Sequence, residues 1–328
     1  MINLKQRKIL QPRTDKEIFF DDLLDLFFGF DAGHLGKYCY DGSNWDTVLV
    51  EPSSYYVPRA DNDLVQLAST YLPDCLPEGL SYIDFGVGGV NAFEKHALPI
   101  ISGVKASSYI GVDSCKTSLR SVLAHIEKSY VEIEAQAVET DFFLALPRLV
   151  SKPSVGVMNG LTLTNMYGTL ENNNVEASLV ASLHNLTYAT QNGWLLVSVD
   201  ENQDKRMLHS AYETESTSKL YLNVFYRMEQ EAFSVGFDPS LFVYEPEWHP
   251  ELQLFAHMAR ATAAQDFRLG DYRLHIAKGQ KFHLLNSYKF EASFFEACCD
   301  KAGLAVQQVW HHETPMKLYL LKDKTCRL

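Results

Sequence analysis

Between residues 82 and 200 the hydrophobic positions arrive in short β-rich runs, "SYIDF", "SYIGVD", "VEIEAQAV", "SVGVMNG" and "GWLLVSVD", separated by stretches with apolar residues at helical spacing. That alternation predicts a parallel sheet with crossover helices. Most of the runs end in Gly, Asp or Asn, the residues expected at the carboxyl edge of such a sheet, where ligands bind at the switch in strand order. After Asp200 the alternation stops. "KRMLHSAYETESTSKLYLNVFYRMEQEAF" reads as a helix, and "PEWHPELQLFAHMARATAAQDFRLGDYRLHIAKGQKFHLL" as an antiparallel strand set. The α/β pattern returns with a helix at "EASFFEACCDKAGL" and two closing strands, "AVQQVWHH" and "KLYLLKD". Residues 201–288 therefore read as an α+β insertion that joins the aromatic-rich N-terminal segment (Phe19, Phe20, Phe27, Phe28, Phe30, Tyr38, Tyr40) to form a cap. The expected domains are a parent sheet domain over 61–200 and 289–328 and a substrate-binding cap over 1–60 and 201–288.

Composition narrows the partners. The net charge of −12 and the lack of a Lys/Arg run argue against a surface that tracks nucleic-acid phosphates, and point to a small-molecule substrate. The six cysteines show no C-x-x-C pair and no zinc spacing, which suits a reducing compartment and predicts no metal. Cys298 and Cys299 lie in a helical pattern and read as core. His311 and His312 are adjacent in a strand pattern, so they point to opposite faces and are poor joint ligands. The sequence lacks an apolar run of the roughly 18 residues a membrane span needs, and its acidic, interrupted start lacks a signal-peptide core. No membrane partner and a cytoplasmic location are the expectations. The oligomeric state is open between a monomer and a weak dimer.

The candidate chemistry begins at "YIDFGVGGVN", where a strand ends in an acid and the chain turns on Gly86, Gly88 and Gly89. Glycine lets a backbone approach a ligand closely because it has no Cβ to collide with it. A dinucleotide fold wants G-x-G-x-x-G, and Asn91 stands at the sixth position. A sheet that binds S-adenosyl-L-methionine wants an acid two residues before the first glycine, supplied by Asp84, and a second acid ending the next strand to bind the ribose, supplied by Asp113. Asp141 at the end of the third strand could accept from the adenine amino group, with Phe142 packing on the base. The closing antiparallel hairpin fits the same class. The predicted fold is thus a Rossmann-like class I methyltransferase sheet carrying an inserted cap, and an NAD(P)-dependent dehydrogenase is the lesser alternative.

Several stretches then resemble the histidine-specific methyltransferase family, which includes the Nα-trimethyltransferase of ergothioneine synthesis and fungal dimethylallyltryptophan N-methyltransferase. "YCYDGSNWDTVLVEPSSYYVPR" is similar to the family's N-terminal signature, "NAFEKH" to the end of its glycine loop, "GLTLTN" to its fourth-strand motif, "AYETE" to the turn after strand five and "LNSYKF" to its late E-x-S-x-K-F motif. The resemblance implies that Gly86, Gly88, Lys95, Asp113, Asp141, Phe142 and Gly160 hold the cofactor. It implies that Asn165 and Tyr212 hold an acceptor's α-carboxylate, that Tyr56 lies by its amino group, and that these three residues carry the catalysis. Tyr40, Leu285 and Ser287 would line the rest of the acceptor pocket. Leu285 falls where the family carries the acid that grips an imidazole, and an apolar residue cannot accept a ring N–H. The sequence therefore predicts N-methylation of the α-amino group of an amino acid or derivative other than histidine. A catalytically silent scaffold that merely binds the cofactor is the alternative from another class.

Overall fold

A computed structural model describes residues 15–29, 33–39, 55–143, 146–158, 166, 170, 174–231 and 233–325. Tyr40, Gly160 and Asn165 lie outside the described residues. The β-rich runs become β1 (Ser81–Phe85), β2 (Ser108–Asp113), β3 (Glu134–Glu139), β4 (Val155–Met158) and β5 (Trp194–Asp200), all parallel. The closing strands, β13 (Leu304–His311) and β14 (Met316–Asp323), form the antiparallel hairpin on the β5 edge. The order β13-β14-β5-β4-β1-β2-β3 reverses at β1, which puts the switch point over the glycine turn.

Both faces of this sheet are covered, which explains why β4 and β5 read as unbroken apolar runs. Alternate residues feed two cores. Tyr82, Tyr109, Val157 and Leu196 pack with Leu64, Ala68 and Leu72 of helix α2 (Val57–Cys75). Ile83, Ile110, Val197 and Tyr319 pack on the other face with Leu179, Leu183 and Leu186 of Val175–Ala189 and with Phe295, Cys298 and Cys299 of Ala292–Lys301. The paired cysteines are core residues, and burial pushes the Cys298 thiol up to about 11.

From β5 the chain passes into a region of its own. The long stretch read as one helix is broken into two, Lys205–Tyr212 and Glu215–Gln230, because Thr214 caps the second and shares a capping box with Thr217. The Thr217 hydroxyl also donates to the Tyr212 carbonyl at 2.5 Å, so the break holds the end of the first helix in place. Beyond it, β6 (Ser234–Val235), β10 (Gln265–Leu269) and β11 (Tyr272–Ile276) make one antiparallel sheet. A second is built on β9 (Leu254–Ala261), which pairs with β7 (Phe242–Tyr244), β8 (Glu247–His249) and β12 (Lys281–Tyr288). Helix α1 (Asp15–Phe28) seals this region through Phe27, whose ring meets those of Phe225, Phe237, Phe267 and Phe282. The same core runs without interruption into the α2 face of the parallel sheet.

Candidate active site

The glycine turn after β1 adopts the backbone its residues allow. Gly86 and Gly88 have φ of 85° and 63°, a left-handed region costly for a side chain, and the Gly86 amide donates to the Val112 carbonyl at 2.8 Å. Asp113 at the end of β2 accepts from the Cys115 amide at 2.7 Å. Burial raises its carboxyl to about 6, against the pull of hydrogen bonds from the Cys115, Val87, Gly88 and Ser114 amides. Asp84 accepts from the Tyr109 hydroxyl at 2.9 Å, and burial lifts it to about 7, aided by the charge of Asp113. Just past β3, Asp141 accepts from the Phe143 amide at 3.1 Å and lies 3.6 Å from the Lys37 ammonium of the N-terminal segment. Phe142 sets its ring beside Phe85. Three strand ends thus present carboxyl groups around the glycine turn, whose Val87 and Gly88 amides are turned onto Asp113. S-adenosylmethionine carries a positive sulfonium, an ammonium, ribose hydroxyls and an adenine amino group, so its charge and its donors match this set of acceptors.

Two strands away, the carboxyl end of β5 builds a different kind of cluster. Asp200 is fully buried and its Oδ2 accepts from Lys289 Nζ and from the Tyr56 hydroxyl, each at 2.6 Å. Lys289 is also fully buried and donates to the Tyr212 hydroxyl at 2.7 Å. Burial is the largest single influence and would lower the lysine's pKa, but the Asp200 charge and the contacts with Asp200 and Tyr212 together outweigh it and the net shift is upward, so the ammonium stays charged. Tyr56 is held well above the usual phenol range by burial and by the same carboxylate. Asn202 completes the cluster: its Nδ2 donates to the Tyr56 hydroxyl at 2.8 Å while its Oδ1 accepts from the Asp204 amide at 2.9 Å. The Tyr212 ring is stacked on Phe255 at 4.9 Å and edged by Tyr55 and His257. The open groove lined by Leu67, Tyr71, Trp310 and His311 lies toward the other end of α2 from Tyr56 and takes no part in this cluster.

A family model described as "Histidine-specific methyltransferase, SAM-dependent" matches residues 35–323, which span both clusters. The chain belongs to this family. Two relatives from Aspergillus flavus are N-methyltransferases: dtpB is 22% identical over 278 residues (80% of this chain, 76% of the relative), and imqF is 20% identical over 272 residues (81% and 73%). An uncharacterized protein of Sinorhizobium fredii, y4iF, is 26% identical over 251 residues, 75% of this chain and 81% of its own length. Among solved structures the CcbJ methyltransferase from Streptomyces caelestis is similar at 12% identity and a TM-score of 0.48, covering 87% of this chain and 99% of that one.

Within this methyltransferase family member, the structure brings together Tyr56 and Tyr212 on one side and Gly86, Gly88, Asp113, Asp141 and Phe142 on the other. Lys95 lies on the π turn Phe93–Ala97 with its side chain exposed, its carbonyl accepting from Gln66. Ser287 contacts the His257 ring at 2.8 Å, and His257 in turn contacts the Tyr244 hydroxyl at 2.6 Å. Burial drives the His257 pKa well below its ordinary value, so the imidazole is neutral. Leu285 is 1% exposed at a bulge in β12, paired with His34 and packed on Gly36, where even a Cβ would come within 3.0 Å of its Cδ1. Sequence reasoning missed Asp200, Asn202 and His257. The terminal acid of "GWLLVSVD" was the one signal for Asp200, and nothing in the spacing tied it to a lysine so far along the chain. Lys289, the lysine of "LNSYKF", is the buried cation of the cluster.

Proposed function

We propose that this enzyme methylates the α-amino nitrogen of an amino acid or amino-acid derivative other than histidine, with Tyr56, Tyr212 and Asn165 acting on the acceptor. The observation that carries the proposal is the meeting of Tyr56 and Tyr212 on a single buried ion pair at the carboxyl edge of the sheet. Two phenols held in fixed places suit the two polar ends of an amino acid, and the N-methyltransferase relatives support a nitrogen acceptor. Gly86, Gly88, Lys95, Asp113, Asp141, Phe142 and Gly160 would hold S-adenosylmethionine, which supplies an activated methyl group. In-line attack needs a neutral amine fixed close to that methyl, and a dry pocket of buried tyrosines favours the neutral form by desolvation. We assign the region over 1–60 and 201–288 to acceptor binding as a cap, with Tyr40, Leu285 and Ser287 in its wall.

Leu285 supports the exclusion of histidine, because a buried leucine offers an imidazole N–H no acceptor. The test is a side-by-side methylation assay of wild type and Leu285→Glu with histidine, tryptophan, tyrosine and leucine. The expected result is transfer to at least one non-basic amino acid by the wild type, and greater histidine turnover by Leu285→Glu. Efficient histidine methylation by the wild type would refute the specificity reading, and cofactor binding without transfer to any amine would favour a silent scaffold.

A further inference from the structure

We propose that the buried Asp200–Lys289 pair, together with Asn202, gives the two tyrosines opposite hydrogen-bond polarity, Tyr212 being set to donate to the acceptor's anionic group and Tyr56 to accept from its amine. Asp200, Asn202 and Lys289 are thereby positioning residues. The inference rests on the reading of α-amino methylation above and deepens it.

The polarity follows from what each partner is able to do. An ammonium has donors and no acceptor, so the 2.7 Å contact between Lys289 and Tyr212 has one sense: the phenol oxygen accepts and its hydrogen points elsewhere. Among the described residues Lys289 is the hydrogen-bond partner of that hydroxyl, which leaves the Tyr212 hydrogen for an incoming anion. An ionised carboxylate only accepts, so Tyr56 spends its hydrogen on Asp200. The Asn202 amide is oriented by the Asp204 backbone N–H, which can only donate to Oδ1; Nδ2 therefore faces Tyr56 and donates to it. Tyr56 is left with one lone pair.

The consequence bears on the nucleophile. A hydroxyl free to rotate could donate to the amine's lone pair, the same pair that must attack the methyl. Tyr56, with its hydrogen committed, can only take an N–H from the amine, which turns the nitrogen's lone pair away from the phenol. Tyr212 meanwhile anchors the other end of the molecule. A buried ion pair is weak evidence for stability as such, since well-packed neutral residues often do as well, whereas it can specify one arrangement of its neighbours.

The experiment compares the full-length wild type with two variants. Asp200→Asn/Lys289→Met removes both charges together. Asn202→Ser keeps a hydroxyl able to accept from the Asp204 amide but too short to reach Tyr56. Each protein is titrated with the demethylated cofactor and assayed at steady state with the amino acids the wild type methylates. The expected result is cofactor affinity within about twofold of wild type, with kcat/KM for the amino acid lowered about 30-fold in the double variant and about fivefold in Asn202→Ser, mainly through KM. A merely structural defect would lower the active fraction, and so kcat, with KM unchanged; that pattern overturns the inference. If the double variant fails to bind the cofactor, Asn202→Ser alone decides. Wild-type kcat/KM in a variant that binds the cofactor overturns the polarity assignment and leaves the function reading standing, whereas no transfer by the wild type to any amino acid takes both down.

Discussion

The two ends of the site differ in how they handle charge. At the glycine turn, Asp84 and Asp113 sit in surroundings that raise them to about 7 and about 6, with a phenol, backbone amides and a nearby histidine as neighbours. At the end of β5, Asp200 has a lysine at 2.6 Å and is neutralised from within. The first arrangement is a socket of partly protonated carboxyls whose ionised forms a bound cation would favour. The second is complete in itself and uses its charges to orient two phenols. A protein can therefore place acids at neighbouring strand ends for opposite purposes, and the partner of each acid tells which.

The largest expected effect breaks the self-contained end. Lys289→Ala leaves Asp200 buried without its cation and should cost about 3–5 kcal/mol of stability, while Asp200→Asn/Lys289→Met should recover most of it. Thermal and denaturant unfolding of the three proteins checks this. A loss under about 1 kcal/mol for Lys289→Ala would mean that water reaches Asp200, and the contrast between the two ends would collapse.

The next effect acts on the socket. Asp113→Ala should lose one or two charge-assisted hydrogen bonds to the cofactor ribose, each worth about 1.5–3 kcal/mol, without altering the Tyr56–Tyr212 cluster. Isothermal titration with the demethylated cofactor reads it. Unchanged affinity in a folded variant would remove Asp113 from the cofactor site.

A smaller effect follows from pH. The folded-state pKa values of Asp84 and Asp113 lie above their unfolded values, so their protonated forms favour the fold. That contribution is complete below about pH 4 and is lost as the pH rises through about 6 and about 7, at a slope of at most about 1.4 kcal/mol per pH unit for each group. A cation bound in the socket pulls both values down, so cofactor binding near pH 7 should release a fraction of a proton and tighten as the pH rises from 6 to 8. Titration in buffers of different ionisation enthalpy measures the proton. Proton uptake, or an enthalpy independent of buffer in the wild type but not in Asp84→Asn, would reverse the electrostatic reading.

The smallest effect concerns the link between regions. Thr214→Ala removes the cap that ends one helix and starts the next, and should cost about 1 kcal/mol of stability while raising the acceptor's KM through Tyr212. An unchanged KM would show that ring packing alone holds Tyr212.

The socket was the legible end. Asp84, Gly86, Asp113 and Asp141 lie within successive strand-and-turn units, where a short stretch of chain dictates both the strand and the residue at its tip. The cluster at the end of β5 was only partly legible. Tyr56 and Asp200 are 144 positions apart, and Tyr212 and Lys289 are 77 apart, so no local pattern couples them. Motif resemblance singles out Tyr56 and Tyr212, while the contacts of Asp200 and Asn202 with them are visible only in the fold. The single helix read across 205–233 failed for a local reason that competes with periodicity: Thr214 offers its side chain to the backbone and ends the run.

By itself, the amino-acid sequence determined the parallel sheet, its closing hairpin, the glycine turn and the acids around it, because strand burial and turn geometry depend on residues close together in the chain. Tertiary structure alone decided that Lys289 is a buried cation and not a solvated one, and that it holds Tyr212 and Asp200 at once. It also decided which way the phenols of Tyr56 and Tyr212 can bond. The direction of a hydrogen bond depends on what the partner can donate or accept, and here each partner comes from a distant segment brought in by the packing of the whole chain.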